Sequence, residues 1–119
     1  MNYRYFTQAD FDAANPVCRV DDMDPRFMEK MDVARYHAGI PFIVNSAYRT
    51  VEHEKSKGRE GTSSHTKGLA IDLQVTSSRE RFIIIQALFQ AGFRRVGLEG
   101  SFIHADSDDE KDSDVFWTY

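Results

Sequence analysis

The stretch "SSHTKGLAIDLQV", residues 63–75, joins a polar loop to a strand-like segment with alternating character. In its second half, every second residue is Leu, Ile, Leu or Val. Because successive side chains of a strand point to opposite faces of a sheet, this set belongs against a core. The other set is Ala70, Asp72 and Gln74, which places a carboxylate on the opposite face, seven positions after His65. The pattern predicts a strand with one buried face and one polar face.

Helix signals lie on both sides of this strand. On the N-terminal side, Asp24 can cap a helix that has Pro25 at its first position and that should end at Gly39. On the C-terminal side, the capping box "SSRE" at 77–80 begins an apolar helix that should end at Gly92. We expect both helices to pack on one face of a sheet.

The remaining segments predict further strands and short helices. Capping signals favour short helices from about Gln8 and after Thr50, and residues 40–48 predict a short apolar strand. "RRVGL" and "SFIHAD" predict a hairpin around the Glu99-Gly100 turn, and the terminal "VFWTY" predicts a last strand. This order of elements predicts an α+β fold, with helices packed on a mainly antiparallel sheet.

Composition narrows the class of protein. A chain of 119 residues has the usual size of one domain, so residues 1–119 should form a single domain with its own core. The net charge is −4 and the lysines and arginines are scattered, which argues against a nucleic-acid partner. Cys18 is the only cysteine, which excludes an internal disulfide and a cysteine-rich structural zinc site.

Residues in three segments can meet on the polar face of the sheet. Asp72 lies on that face of its strand, and His104 lies in the predicted hairpin. If these strands pair, both side chains converge, and His65 at the end of the loop can fold back over them. Two imidazoles and one carboxylate form a catalytic zinc set that leaves the fourth position for water, whose pKa zinc lowers to about 7. On spacing alone, the commoner alternative of a surface histidine stays open for His65.

Four segments connect the chain to a known family. "SSHTKGLAID" fits the pattern Ser-x-His-x-x-Gly-x-Ala-x-Asp and resembles the zinc D-alanyl-D-alanine carboxypeptidases. The relatives of these enzymes include vancomycin-resistance dipeptidases and phage L-alanyl-D-glutamate endopeptidases. "SAYR" at 46–49, "FIHAD" at 102–106 and the terminal "VFWTY" are similar to further segments of short family members. The similarity runs from about Tyr5 to Tyr119, and the small size favours a phage or prophage type.

The resemblance implies both a site and an activity. It implies a compact α+β domain in which His65, Asp72 and His104 bind zinc, and in which Arg49 stabilises a substrate carboxylate or the developing oxyanion. The implied activity is that of a zinc metallopeptidase, which hydrolyses peptidoglycan bonds next to a D-amino acid as a carboxypeptidase or an endolysin-type endopeptidase. Peptidoglycan stem peptides are therefore the expected partner. The alternative is a non-catalytic, zinc-containing module that binds cell-wall peptides.

The chain departs from its relatives at the general base. Relatives often carry Glu or Asp three residues before the last histidine ligand, where this chain has Ser101. Asp106 is the predicted base, because it shares a strand face with His104. Glu99 in the turn is the second candidate. Asp106 is equally open to a role as a carboxylate that orients a ligand.

Two other segments carry weaker signals. Many relatives show His-Asn where this chain has His53-Glu54, and we interpret His53 as structural. Residues 106–114 are acidic but lack the glycine that a calcium loop of the EF-hand type requires, so we expect a solvated loop.

The expected location follows from the sequence of the N-terminal segment. It lacks the apolar run of a signal peptide, and no apolar stretch is long enough to span a bilayer. We therefore expect a monomer that is cytoplasmic as made, does not insert into membranes and acts on the cell wall if released.

Overall fold

Helices and strands follow one another in the order that the sequence predicts. The computed structural model describes residues 2–119. Within this range the α-helices are α1 (Gln8–Asp12), α2 (Pro25–Ala38), α3 (Val51–Ser56) and α4 (Ser78–Gln90). The strands of the same range are β1 (Val44–Ser46), β2 (Ala70–Gln74), β3 (Arg95–Leu98), β4 (Phe102–Asp106) and β5 (Val115–Thr118). Two short 3-10 segments, Val20–Asp22 and Ser64–Lys67, lie in the connections.

The five strands form one sheet in which β2 and β4 are interior neighbours. The strand order is β1-β2-β4-β3-β5. Every neighbouring pair is antiparallel except β3 and β5, which are parallel. The predicted α+β fold with a mainly antiparallel sheet is confirmed.

The apolar face of β2 is buried, as its alternation predicts. Ile71, Leu73 and Val75 each have no more than 2% of their surface exposed. The helices pack on this face, and the buried residues of α2 and α4 are Phe27, Met28, Met31, Ala34, Ile84, Ala87 and Leu88. Burial of one large apolar side chain stabilises the fold by roughly 1.5–3 kcal/mol. This layer therefore fixes which face of the sheet is left for polar residues.

The predicted caps hold the helix ends. The Asp24 carboxylate accepts hydrogen bonds from two backbone N–H groups of the first turn of α2, where Pro25 is the first residue. Thr50 and Ser77 cap α3 and α4 in the same way. Gly39 ends α2 with a φ of 66°, a conformation that favours glycine.

Two segments differ in detail from the expectation. β1 is shorter than the predicted strand 40–48 and contains a register shift between Val44 and Ser46, and Pro41 near the start of the predicted range has no N–H to donate to a ladder. The polar loop before β2 contains a 3-10 turn, Ser64–Lys67, which the sequence pattern does not predict.

Within residues 2–119, no helix combines the length and the apolar character that crossing a bilayer requires.

Candidate metal centre

The register of β2 against β4 places a carboxylate opposite an imidazole. Asp72 pairs with His104 across the ladder, so both side chains project from neighbouring points of the same face. This face lies opposite the helices, because Ile71 and Leu73 on either side of Asp72 are buried in the core. The two strands thus pair, which is the condition for the convergence of Asp72 and His104.

The 3-10 segment Ser64–Lys67 brings His65 to the same face. Ser63 caps it by accepting a hydrogen bond from the His65 N–H at 3.2 Å, and Gly68 ends it with a φ of 70°. A side-chain carbon at Gly68 would also meet the Asp22 carbonyl oxygen at 2.6 Å. Glycine is needed here both for the backbone conformation and for the close approach of the chain.

His65, Asp72 and His104 converge. Their ligand atoms all lie within 4.8 Å of one another. Asp72 Oδ1 is 2.9 Å from His104 Nδ1 and 3.4 Å from His65 Nε2. Both imidazoles are buried, with 2% of His65 and 8% of His104 exposed. The three residues that the sequence indicates as metal ligands are thus brought together.

The hydrogen bond of His65 gives a test of whether these residues fit a metal. Its Nδ1 lies 2.6 Å from the Ala47 carbonyl oxygen. A carbonyl oxygen only accepts, so Nδ1 carries a proton, and Nε2 is the nitrogen that faces the Asp72 carboxylate. Nε2 is therefore the atom left to bind a cation together with Asp72 Oδ1, which lies 3.4 Å away. The donor set therefore fits zinc, which takes this mixture of nitrogen and oxygen ligands.

His104 is held between two carboxylates. Its Nδ1 faces Asp72, and its Nε2 lies 2.7 Å from Asp106 Oδ2. Burial alone would lower the pKa of His104, but the hydrogen bonds to Asp106 and Asp72 outweigh it and the pKa is raised. Burial alone would raise the pKa of Asp72, but its bonds with His104 and His65 hold that pKa well below its usual range. Asp72 is therefore ionised at neutral pH, as a metal ligand must be.

Asp106, the predicted base, is buried and has partners on both oxygens. Oδ2 contacts His104, and Oδ1 accepts hydrogen bonds from Arg95 Nε at 2.7 Å and from the Asp108 N–H at 3.1 Å. Burial raises its pKa, but these bonds outweigh burial and the pKa is lowered. The contacts favour the alternative interpretation, in which Asp106 orients His104 as a ligand. Its assignment as a base stays a prediction.

The second candidate base lies at the tip of the β3–β4 hairpin. Glu99 accepts hydrogen bonds from the N–H and the Oγ of Ser101, at 3.2 and 2.8 Å. The hydroxyl bond, followed by the backbone bond, lowers the pKa of Glu99. Ser101, which stands where relatives often carry an acid, therefore holds Glu99 in the turn. The role of Glu99 also stays a prediction.

Arg49 is anchored beside the metal ligands. Its backbone N–H donates to the His65 carbonyl oxygen at 3.2 Å, and its Nη1 donates to Ser46 Oγ at 3.2 Å. Ser46 is the residue of β1 that pairs with Asp72. The structure therefore places Arg49 at the β1 side of the convergent ligands.

Glu54 is a residue of this region that sequence reasoning missed. Its side chain is fully buried, and its Oε2 lies 2.6 Å from Arg59 Nη1 and 3.4 Å from Arg49 Nε. Neither Glu54 Oε1 nor Arg49 Nε makes a hydrogen bond within residues 2–119. A buried carboxylate is costly unless cations accompany it, so Glu54 and the two arginines form one unit. The sequence signal for Glu54 is that His53-Glu54 stands where many relatives show His-Asn.

Aromatic side chains pack beside His104. The Trp117 ring centre lies 5.5 Å from that of His104, and the Tyr119 ring centre lies 5.4 Å from that of Phe102. The approach of the indole requires Gly97, because a side-chain carbon there would come within 2.5 Å of Trp117 Cε2. The sequence predicts the strand but not this contact, since the pairing of β5 with β3 joins segments that are distant in the chain.

Replacing Gly97 with alanine should push Trp117 away from His104. The methyl group and the indole cannot share the same space, so the free energy of unfolding should fall by ~1–3 kcal/mol. Trp117 is the only tryptophan, so a shift of its fluorescence maximum reports the displacement directly. Gly100→Ala is the matched control, because a side-chain carbon there meets nothing within 4 Å. An unchanged spectrum and an unchanged stability would show that the indole does not rest on Gly97.

The chain matches the Peptidase M15 family over residues 5–106, a range that includes the three convergent ligands and Arg49. A comparison with curated proteins gives no match. The family is one of metallopeptidases that generally depend on zinc, which agrees with the ligand set. The resemblance predicted from the sequence is confirmed, and the chain belongs to the Peptidase M15 family.

Proposed function

We propose that the protein is a zinc-dependent peptidase that hydrolyses peptidoglycan peptide bonds next to a D-amino acid. The observation that carries the proposal is the convergence of His65, Asp72 and His104 on one face of the sheet, in a chain of the Peptidase M15 family. The stem peptides of peptidoglycan are the proposed substrate. We assign the protein to the short phage or prophage type, and its proposed place of action is the cell wall.

The three convergent residues would hold the zinc ion through the nitrogens and the oxygen that face one another. These are His65 Nε2, Asp72 Oδ1 and His104 Nδ1. When bound, zinc supplies a Lewis acid that polarises a carbonyl group and activates water at neutral pH. The chain fixes the two rings from outside, through the Ala47 carbonyl oxygen and the Asp106 carboxylate. Such outer contacts orient ligand rings and raise their basicity.

Arg49 would supply a positive charge to the substrate. Ser46 holds one of its terminal nitrogens, and Glu54 lies beside its Nε. A guanidinium fixed in this way presents a planar fork that matches a carboxylate or an oxyanion. We assign to Arg49 the binding of a substrate carboxylate or the stabilisation of the developing oxyanion.

Replacing Arg49 with lysine should lower kcat/KM at least ~10-fold, or about 1.4 kcal/mol of transition-state stabilisation. Lysine keeps the charge but loses the planar fork and the contacts to Ser46 and Glu54. Zinc content, measured on the same samples, should stay at the wild-type value. Arg79→Lys at an exposed position of α4 is the matched control. Wild-type kinetics in a folded Arg49→Lys protein would show that Arg49 has no role in substrate binding or catalysis.

The proton acceptor is proposed among the nearby carboxylates. Asp106 lies against His104 but is bonded to it and to Arg95. Glu99 is held at the hairpin tip by Ser101. The pKa of each carboxylate is lowered, so both are ionised at neutral pH, as a general base must be.

A second candidate function is a module that binds zinc and wall peptide without turnover. Two observations favour it. Ser101 stands in the place of an acidic base, and both oxygens of Asp106 already have partners.

Incubation of zinc-loaded protein with soluble peptidoglycan fragments separates the two functions. A peptidase releases new amino termini, loses this activity when zinc is chelated and regains it when zinc is added back. A binding module retains the fragments on a column of immobilised protein and releases no new termini. His104→Ala is the control in both assays, and fragments that are neither cleaved nor retained would contradict both functions.

A further inference from the structure

The acidic loop after β4 contains a buried carboxylate. The solvated loop predicted for residues 106–114 is wrong for Asp106 and Asp108, which have 2% and 1% of their surface exposed. The next residues, Asp109 and Glu110, are exposed. Because removal of a carboxylate from water is costly unless it is paired, the partners of Asp108 indicate what it holds in place.

Asp108 binds both ends of the 3-10 segment that carries His65. Its Oδ2 accepts a hydrogen bond from Ser64 Oγ at 2.8 Å, and Lys67 Nζ donates to Oδ1 and Oδ2 at 2.9 and 3.0 Å. Lys111 Nζ lies 3.7 Å from Oδ2 and donates to Ser64 Oγ at 3.0 Å. His65 therefore lies between two residues that are tied to one buried carboxylate.

The backbone of Asp108 connects to the other histidine. Its N–H donates to Asp106 Oδ1 at 3.1 Å, while Asp106 Oδ2 lies 2.7 Å from His104 Nε2. The stretch 106–108 therefore touches His104 on one side and the neighbours of His65 on the other.

The sheet alone does not fix the geometry of the three ligands. The β2–β4 ladder sets the separation of Asp72 and His104, because the two residues are directly paired. His65 lies outside the ladder, in a connection between α3 and β2. The connection is held by the bonds of His65 to Ala47 and Arg49, and Asp108 adds through its side chain contacts that tie the segment to the end of β4.

We propose that Asp108 is a positioning residue that holds the His65 segment against the end of β4 and thereby sets the affinity of the centre for zinc. The inference rests on the proposed zinc centre. Asp108 acts through Ser64, Lys67 and Asp106, which are its own partners. Metal sites need their ligands held close to the productive geometry, so loosening one ligand segment weakens binding.

Asp108→Asn tests the proposal, because it keeps the size of the side chain and removes its charge. The zinc dissociation constant, measured by competition with a chromophoric chelator, should rise ~10–100-fold, the usual effect of removing a group that supports a ligand from behind. Asp109→Asn is the matched control. It makes the same charge change one position away on an exposed residue, and it should bind zinc as the wild type does.

Substitution of cobalt(II) for zinc gives a measurement that would not change if Asp108 only stabilised the fold. Its visible absorption reports the geometry of the ligands in the folded protein. Asp108→Asn should change the intensity of the bands, whereas Asp109→Asn should leave the spectrum unchanged. A loss of thermal stability with an unchanged spectrum and unchanged zinc affinity would overturn the proposal.

The experiment also covers a variant that does not fold and a wild-type protein that lacks activity or zinc. If Asp108→Asn does not fold, Ser64→Ala replaces it, because it removes the hydroxyl that Asp108 and Lys111 bind. Zinc affinity and a cobalt spectrum equal to the wild type would then overturn the proposal. Wild-type protein that binds zinc but hydrolyses nothing contradicts the proposed function alone, and wild-type protein that binds no zinc contradicts both.

Discussion

Replacing His104 with alanine should lower zinc affinity at least ~100-fold. Removing a residue that hydrogen-bonds to a metal ligand typically lowers metal affinity ~10–100-fold, and removing the ligand itself should have a larger effect. The variant keeps only His65 and Asp72 of the convergent set. It also leaves the buried Asp106 carboxylate without its imidazole partner. His65→Ala should give a loss of similar size. Both values are measured by competition with a chromophoric chelator.

His37→Ala is the control for these two variants, since His37 is an exposed residue of α2. Its zinc affinity should equal that of the wild type. Folding of each variant is checked by circular dichroism before titration. Full zinc occupancy in both His65→Ala and His104→Ala would remove the basis for this metal site.

Replacing Asp106 with asparagine should weaken zinc binding ~10–100-fold, if Asp106 orients His104. An amide cannot accept from His104 and Arg95 as a carboxylate does, because one of its two oxygens becomes an NH₂ donor. At saturating zinc, turnover should then recover most of its wild-type value. The measurement is kcat as a function of free zinc concentration.

The general-base hypothesis predicts a different result for the same variant. If Asp106 is the base, kcat at saturating zinc should stay ~100-fold low while zinc affinity is unchanged. Glu99→Gln is the companion variant, because it alters the second candidate at the hairpin tip. Loss of turnover in Glu99→Gln alone would assign the base to the turn. Wild-type kinetics and wild-type zinc affinity in both variants would show that neither carboxylate is the general base and that Asp106 does not orient His104.

Local patterns in the sequence were sufficient to predict the ligand-bearing face of the sheet. The alternation in 69–75 assigned Ile71 and Leu73 to the core and Asp72 to the other face, and the structure agrees. The hairpin signal around Glu99-Gly100 then placed the His104 strand. These predictions succeeded because side-chain alternation and turn chemistry are properties of short segments.

The groups around the ligands could not be predicted in the same way. Glu54 lies in a short polar helix and Asp108 lies in an acidic loop, and both segments are typical of solvent-exposed chain. Each carboxylate is buried because cations from distant or flanking residues surround it, notably Arg59 and Lys67. The contact of Trp117 with the centre likewise depends on long-range pairing. Such features follow from tertiary contacts that no local pattern records.

Mass spectrometry of muropeptides digested with zinc-loaded protein decides whether this centre is catalytic. We expect pairs of products whose masses add up to the substrate plus one water, formed only with zinc present and absent with His104→Ala. The mass lost identifies the bond, since a carboxypeptidase releases one terminal D-amino acid and an endopeptidase releases a larger fragment. Identical spectra before and after digestion, from protein shown to contain zinc, would contradict the assignment of this protein as a cell-wall peptidase.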